Sequence, residues 1–162
     1  TGSHYTTLQM LESAVGRDQV KIENGGLPQM RWRGLKAGTH RAVAVMEPFI
    51  SLGLKEGAHI IAASFYRGGE VVGSELTAEE RKAYYDAENQ AVDLINADFY
   101  RYAHHVTAAT HGALEPRELL KAFVHYKHVD YYDPERFNRA YDWMKARGMT
   151  DGQVAHAALV VG

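Results

Sequence analysis

The sequence contains no cysteine and no long apolar run. Its 162 residues therefore form no disulfide, supply no thiol nucleophile and build no cysteine zinc site. No apolar run approaches the roughly 20 residues needed to span a bilayer. The net charge of −2 gives no electrostatic reason to expect nucleic acid or an anionic membrane surface as partner. With 46% hydrophobic and 23% charged residues, the chain has the composition of a globular protein with one domain or two small lobes.

Catalytic signatures are also missing. The sequence has no Gly-x-Ser-x-Gly elbow and no Gly-x-x-x-x-Gly-Lys-Ser/Thr phosphate loop. Nine histidines are present, and the His125-x-x-His128 spacing would suit a metal on a helix, but no carboxylate stands at metal-motif spacing. We interpret this pair as part of a solvated helix face. The residues thus form no recognisable catalytic constellation, and they predict no metal site and no cofactor.

The most informative stretch runs from Leu35 to Pro48. Gly38 can close a helix in the left-handed conformation, and residues 42–46 are a small, apolar run typical of a buried parallel strand. Pro48 suits the first turn of a new helix. Glu47 then lies at the carboxyl end of a strand, where ligands bind in open α/β sheets. Two roles remain open for it: a ligand contact, or a cap on its own helix.

The chain divides into halves of different texture. Residues 1–66 alternate between helical and strand-like patterns, which predicts a βαβ unit with a parallel sheet. Residues 67–77 are interpreted as a hinge or crossover, or else as an ordinary surface loop. Residues 78–150 predict helices only, and residues 151–162 form a weakly specified tail. The predicted helices are 6–15, 28–37, 48–56, 78–97, 99–109, 115–121 and one from Asp133-Pro134 to Gly148; the predicted strands are 19–23, 42–46 and 59–64.

The amino-terminal residues 1–7 combine hydroxyls with the start of a helix. Free N–H groups at a helix start form a ready site for an anion or carboxylate. Simple capping by Ser3 or Thr6, or a cloning remnant that includes His4, would explain the same residues.

Three segments together resemble a known family. They are TGSH at 1–4, LKAGTHRAVAVMEPF at 35–49, and VDYYDPERF at 129–137 with YDWM at 141–144. Their order and spacing resemble the solute-binding proteins of ABC importers for nitrate, sulfonates, taurine and thiamine-pyrimidine precursors. The Thr39-His40-Arg41 stretch departs from the family, which often has an acidic residue there.

The resemblance implies a periplasmic-binding-protein type II fold, of which this chain would be the second lobe and a helical carboxyl-terminal segment. The first lobe would precede Thr1. A small anionic or heterocyclic solute would bind between the lobes and pass to an ABC permease, outside the cytoplasm. The implied ligand contacts are Gly2, Ser3, His4, Tyr5, Glu47 and Arg67. The alternative is an enzyme on the same fold, resembling desulfinases, decarboxylases or a pyrimidine synthase, with a histidine as acid or base.

Overall fold

The computed structural model describes residues 2–65, 68–69, 72–130, 132–152 and 154–159. These residues form α-helices joined by irregular segments and short 3₁₀ turns. The helices are α1 (Gly2–Leu11), α2 (Pro28–Lys36), α3 (Phe49–Lys55), α4 (Ala78–Ala97), α5 (Phe99–Thr107), α6 (Pro134–Lys145) and α7 (His156–Leu159). The 3₁₀ turns are Arg17–Gln19, Ala108–Thr110, Pro116–Glu118 and Lys121–Phe123.

The predicted α/β fold, a periplasmic-binding-protein type II-like lobe with a parallel-strand βαβ unit, is wrong. The structure is helical, and the described residues contain no strand. Residues 43–46 and 59–64 are irregular. The predicted strand over residues 19–23 is also absent, because residues 17–19 form a 3₁₀ turn and residues 20–23 are irregular. A strand exists only through hydrogen bonds to a neighbouring strand. Residues 42–46 and 59–64 have the apolar composition of buried strands, but neither pairs with another described segment.

Most of the predicted helices are present, and local capping explains their ends. Thr77 precedes α4, where its Oγ1 accepts a hydrogen bond from the Glu80 N–H at 3.2 Å and its own N–H donates to Glu80 Oε2 at 2.8 Å. Asp133 caps α6 as predicted, accepting from the Glu135 N–H at 2.8 Å. Gly38 follows α2 with φ +74°, the left-handed conformation that the sequence predicts.

The predicted helix over residues 115–121 is wrong. This segment contains one 3₁₀ turn, Pro116–Glu118, and a second turn begins only at Lys121. Leu119 and Leu120 between the turns are extended, with φ −66° and ψ 124° at Leu119. Leu119 is completely buried. Packing of its side chain therefore fixes a backbone conformation that an uninterrupted helix would not allow.

The core lies between α2, α3, α5 and the segment around residues 114–119. Its buried apolar side chains are Trp32, Phe49, Leu52, Phe99, Ala103, Leu114 and Leu119. Burial of each large member is worth roughly 1.5–3 kcal/mol. A Cβ on Gly53 would lie only 3.3 Å from the Trp32 ring, so glycine at this position lets α3 approach α2 closely.

A second group of contacts joins α1 to α6. The Tyr5 and Trp143 rings meet edge to face with centroids 4.9 Å apart. The Arg147 guanidinium lies 4.0 Å from the Trp143 centroid, and its Nε donates to Glu12 Oε1 at 2.7 Å. Aromatic packing and a charge-assisted hydrogen bond thus hold residues 5–12 against residues 143–147.

Helix α4 has no buried residue, and polar side chains attach it to an irregular segment, residues 126–129. The three attached α4 residues are four and three positions apart, so they share one side of the helix. The hydrogen-bonded pairs are Asn89 with the Val129 N–H (2.7 Å), Asp93 with His128 Nε2 (2.8 Å) and Asn96 with the Tyr126 carbonyl (3.2 Å).

No helix among the described residues has both the length and the apolar character needed to cross a membrane.

Candidate functional site

Glu47 stands immediately before the first turn of α3. Its Oε2 accepts a hydrogen bond from the Ser51 N–H at 3.0 Å, and its Oε1 accepts one from the Ser51 hydroxyl at 2.7 Å. The first N–H groups of a helix have no partner within the helix, so a carboxylate placed here satisfies one of them. The capping role, one of the two left open by the sequence, is therefore the one observed.

Ser51 extends this contact to a distant part of the chain. Its Oγ accepts a hydrogen bond from the Leu120 N–H at 2.9 Å, across 69 positions of sequence. The Ser51 side chain is buried. Carboxylate, hydroxyl and backbone amide therefore form one connected series of hydrogen bonds, which we call the Glu47–Ser51–Leu120 chain. It fixes the start of α3 against residues 119–120.

The half-buried position of Glu47 shifts its pKa. Loss of hydration raises the pKa of this carboxyl, and the two hydrogen bonds from Ser51 partly oppose the rise. Because Ser51 is buried with its hydroxyl engaged on both sides, the arrangement fixes positions rather than presenting a nucleophile. Each carboxylate oxygen has a second lone pair, so Glu47 retains capacity to accept a hydrogen bond from a ligand.

The four amino-terminal site residues lie within the first turn of α1, where Ser3 and Tyr5 are half-buried and Gly2 and His4 are exposed. The Thr6 hydroxyl donates to the Gly2 carbonyl at 3.0 Å, so it does not cap the helix N-terminus. The sequence predicts that free N–H groups at the start of this helix bind an anion or a carboxylate, and the first turn of α1 supplies N–H groups of this kind.

The described contacts place the predicted site residues in two groups. Glu47 belongs with α3 and the core, whereas Tyr5 packs on Trp143 of α6. Arg67 lies outside the described residues.

An ion cluster that sequence reasoning missed lies just after the last turn of α1. Glu12 accepts from Arg147 and also from Arg17, whose Nη1 is 3.1 Å from its Oε1. These two arginines hold the pKa of Glu12 below its usual value, with the Arg147 hydrogen bond as the largest cause. The three side chains line an open groove of about 690 Å³ together with Ala146. Glu12 and Arg147 are 135 positions apart, so no local pattern could have paired them.

The histidines expected on a solvated helix face lie on no helix, because residues 124–130 are irregular. His128 bonds Asp93, and His125 Nε2 lies 3.1 Å from the Ala122 carbonyl. Within the part of the chain that the structure describes, no three histidine or carboxylate side chains are grouped as metal ligands would be.

Comparison with known proteins adds no further constraint. No protein family, curated protein or solved structure matches this chain.

Proposed function

We propose that this chain is part of the solute-binding component of an ABC importer and acts outside the cytoplasm. Its role is binding rather than catalysis: it holds a small anionic or heterocyclic solute in a cleft and delivers it to the permease. The proposal begins from the resemblance of residues 1–4, 35–49 and 129–144 to that family. It requires the first lobe of that family to complete the cleft and to cover the exposed apolar segments of this chain.

The observation that carries the proposal is the exposure of residues 60–65. Ile61, within the predicted strand over residues 59–64, is 79% exposed, and Phe65, directly after that segment, is 62% exposed. Met46, at the end of the other such run, is 40% exposed. Isolated exposed apolar residues are ordinary, but a contiguous apolar segment indicates a surface that packs against something else. A missing lobe with its sheet would cover such segments.

The binding contacts proposed for this chain use both groups of site residues. Ser3, His4, Tyr5 and the first N–H groups of α1 would hold an anionic group of the solute. Glu47 would accept a hydrogen bond from a ligand amine with its remaining lone pairs. Closure of the two lobes over the solute is favoured only by contacts that the solute gains in the closed form. The two groups of residues would therefore face one solute only in the closed, complete protein.

The test is thermal unfolding of the protein expressed with its upstream coding sequence, in the presence of nitrate, alkylsulfonates, taurine and substituted pyrimidines. A solute present at 100 times its Kd should stabilise the protein by about 2.7 kcal/mol, which raises the Tm by a few degrees. Trp32 packs against Gly53 of α3 and can report on the helix capped by Glu47. A Trp143→Phe background leaves Trp32 as the single tryptophan emitter in this chain.

The variant that tests the proposed Glu47 contact is Glu47→Gln in the same background. This variant keeps a hydrogen-bonding side chain at the start of α3 but removes the carboxylate, so it should weaken solute binding and leave the fold intact. The proposal fails if none of the solutes shifts the Tm, or if the upstream sequence encodes no further lobe.

A further inference from the structure

An open groove of about 600 Å³ lies between the start of α5 and the Pro116–Glu118 turn. It uses neither Glu47 nor the first turn of α1, so it is separate from the proposed solute site. The groove residues combine two guanidinium groups, two carboxylates, a tyrosine ring and a proline. They are Asp98, Tyr100, Arg101, Glu115, Pro116 and Arg117.

The two arginines of this groove make no ion pair with any carboxylate of the described residues. The Arg101 guanidinium lies 5.6 Å from the centroid of the Tyr102 ring, an attraction that leaves its hydrogen-bond donors available. The Asp98 carboxylate accepts from the Arg101 N–H at 3.3 Å and caps α5, and it lines the groove as a second negative charge beside Glu115. A guanidinium without an acidic partner is matched in shape and charge to an incoming carboxylate.

An aromatic surface accompanies the two cations. The Tyr100 ring meets Phe99 edge to face at 5.2 Å, and Tyr100 remains 42% exposed. Pro116 lines the same groove. A planar ligand ring can pack on such a surface while its charged group reaches the arginines.

We propose that this groove binds a small aromatic carboxylate. Arg101 and Arg117 hold the carboxylate by charge-assisted hydrogen bonds, and the ligand ring packs on Tyr100 and Pro116. Glu115 and Asp98 oppose the ligand charge. The effect of side-chain charge on ligand affinity can therefore be tested in both directions. Removal of a positive charge weakens binding, and removal of the Glu115 charge strengthens it.

The experiment titrates benzoate into the full chain and follows the amide and ring resonances by NMR. We expect saturable shifts near Tyr100, a Kd raised about tenfold in Arg101→Gln and in Arg117→Gln, and a Kd lowered severalfold in Glu115→Gln. Arg136→Gln, on the exposed side of α6, is the matched control and should leave the Kd unchanged. Benzamide tests the charge and cyclohexanecarboxylate tests the ring, and both should bind more weakly than benzoate.

Far-UV circular dichroism of each variant separates loss of binding from loss of fold. The proposal is overturned if benzoate produces no saturable shift, if both arginine variants bind as the unaltered chain does, or if Glu115→Gln weakens binding. It is also overturned if benzamide binds equally well. None of these outcomes depends on Glu47 or on an upstream lobe, so the proposed importer function can fail while this site stands, and the reverse.

Discussion

Replacing Ser51 with alanine removes one hydroxyl and two hydrogen bonds from the Glu47–Ser51–Leu120 chain. The bond to the Glu47 carboxylate is 2.7 Å and the bond from the Leu120 N–H is 2.9 Å. Hydrogen bonds to charged groups contribute about 1.5–3 kcal/mol, and a neutral one contributes about 1 kcal/mol. Glu47 keeps its bond from the Ser51 N–H, because that donor belongs to the backbone. We therefore expect Ser51→Ala to lower the free energy of unfolding by about 2–4 kcal/mol.

The assay is equilibrium unfolding in urea, followed by far-UV circular dichroism and by tryptophan fluorescence. The midpoint should fall while the dependence on denaturant stays the same, because the mutation removes bonds without changing the surface exposed on unfolding. Ser74→Ala is the matched control, since Ser74 is exposed in the turn before α4. It should change stability by no more than about 0.5 kcal/mol.

A double-mutant cycle with Glu47→Ala, which removes both acceptor oxygens, measures the Glu47–Ser51 contact itself. We expect a coupling of about 0.5–3 kcal/mol, because the two side chains are in direct contact. The reasoning is refuted if Ser51→Ala costs no more than Ser74→Ala, or if the two mutations are additive. Either result would mean that the hydrogen-bonded chain does not fix α3 in solution.

Three further predictions concern other contacts. Burial raises the pKa of Glu47, so its protonation stabilises the fold in acid and that stability is lost as the pH rises through the folded-state value; unfolding of Glu47→Gln at several pH values should lack this loss. Arg147→Lys removes the two-pronged contact with Glu12, and we expect a Tm lower by a few degrees and less sensitive to salt in thermal scans. Asn89→Ala removes the acceptor of the Val129 N–H, so hydrogen exchange at that amide should accelerate about tenfold.

Helix positions could be predicted from the sequence because their signals are local. The Asp133-Pro134 pair and Gly38 act within one or two turns, and the structure shows the expected cap and the expected positive φ. Strand predictions had no such basis. The composition of residues 42–46 and 59–64 indicates burial between partners, but whether a partner strand exists is decided elsewhere.

The candidate site was predictable only in part for the same reason. Glu47 stands next to the helix that it caps, so both of its possible roles could be named from the sequence. Leu120 joins the same contact from 69 positions away, which no spacing rule could anticipate. The predicted helix over residues 115–121 is wrong for the same reason. Leu119 packs in the core with an extended backbone, and its core contacts are not visible in the local sequence.

The exposed run at residues 60–65 also determines how the chain behaves at high concentration. It joins Ile60, Ile61 and Phe65 in a stretch without proline and without charge, and its backbone makes no strand pairing within the described residues. Segments of this kind pair with copies of themselves when no other strand covers them. The chain alone should therefore lose monomer to aggregation as its concentration rises, and a complementary strand that covers this run should suppress that loss.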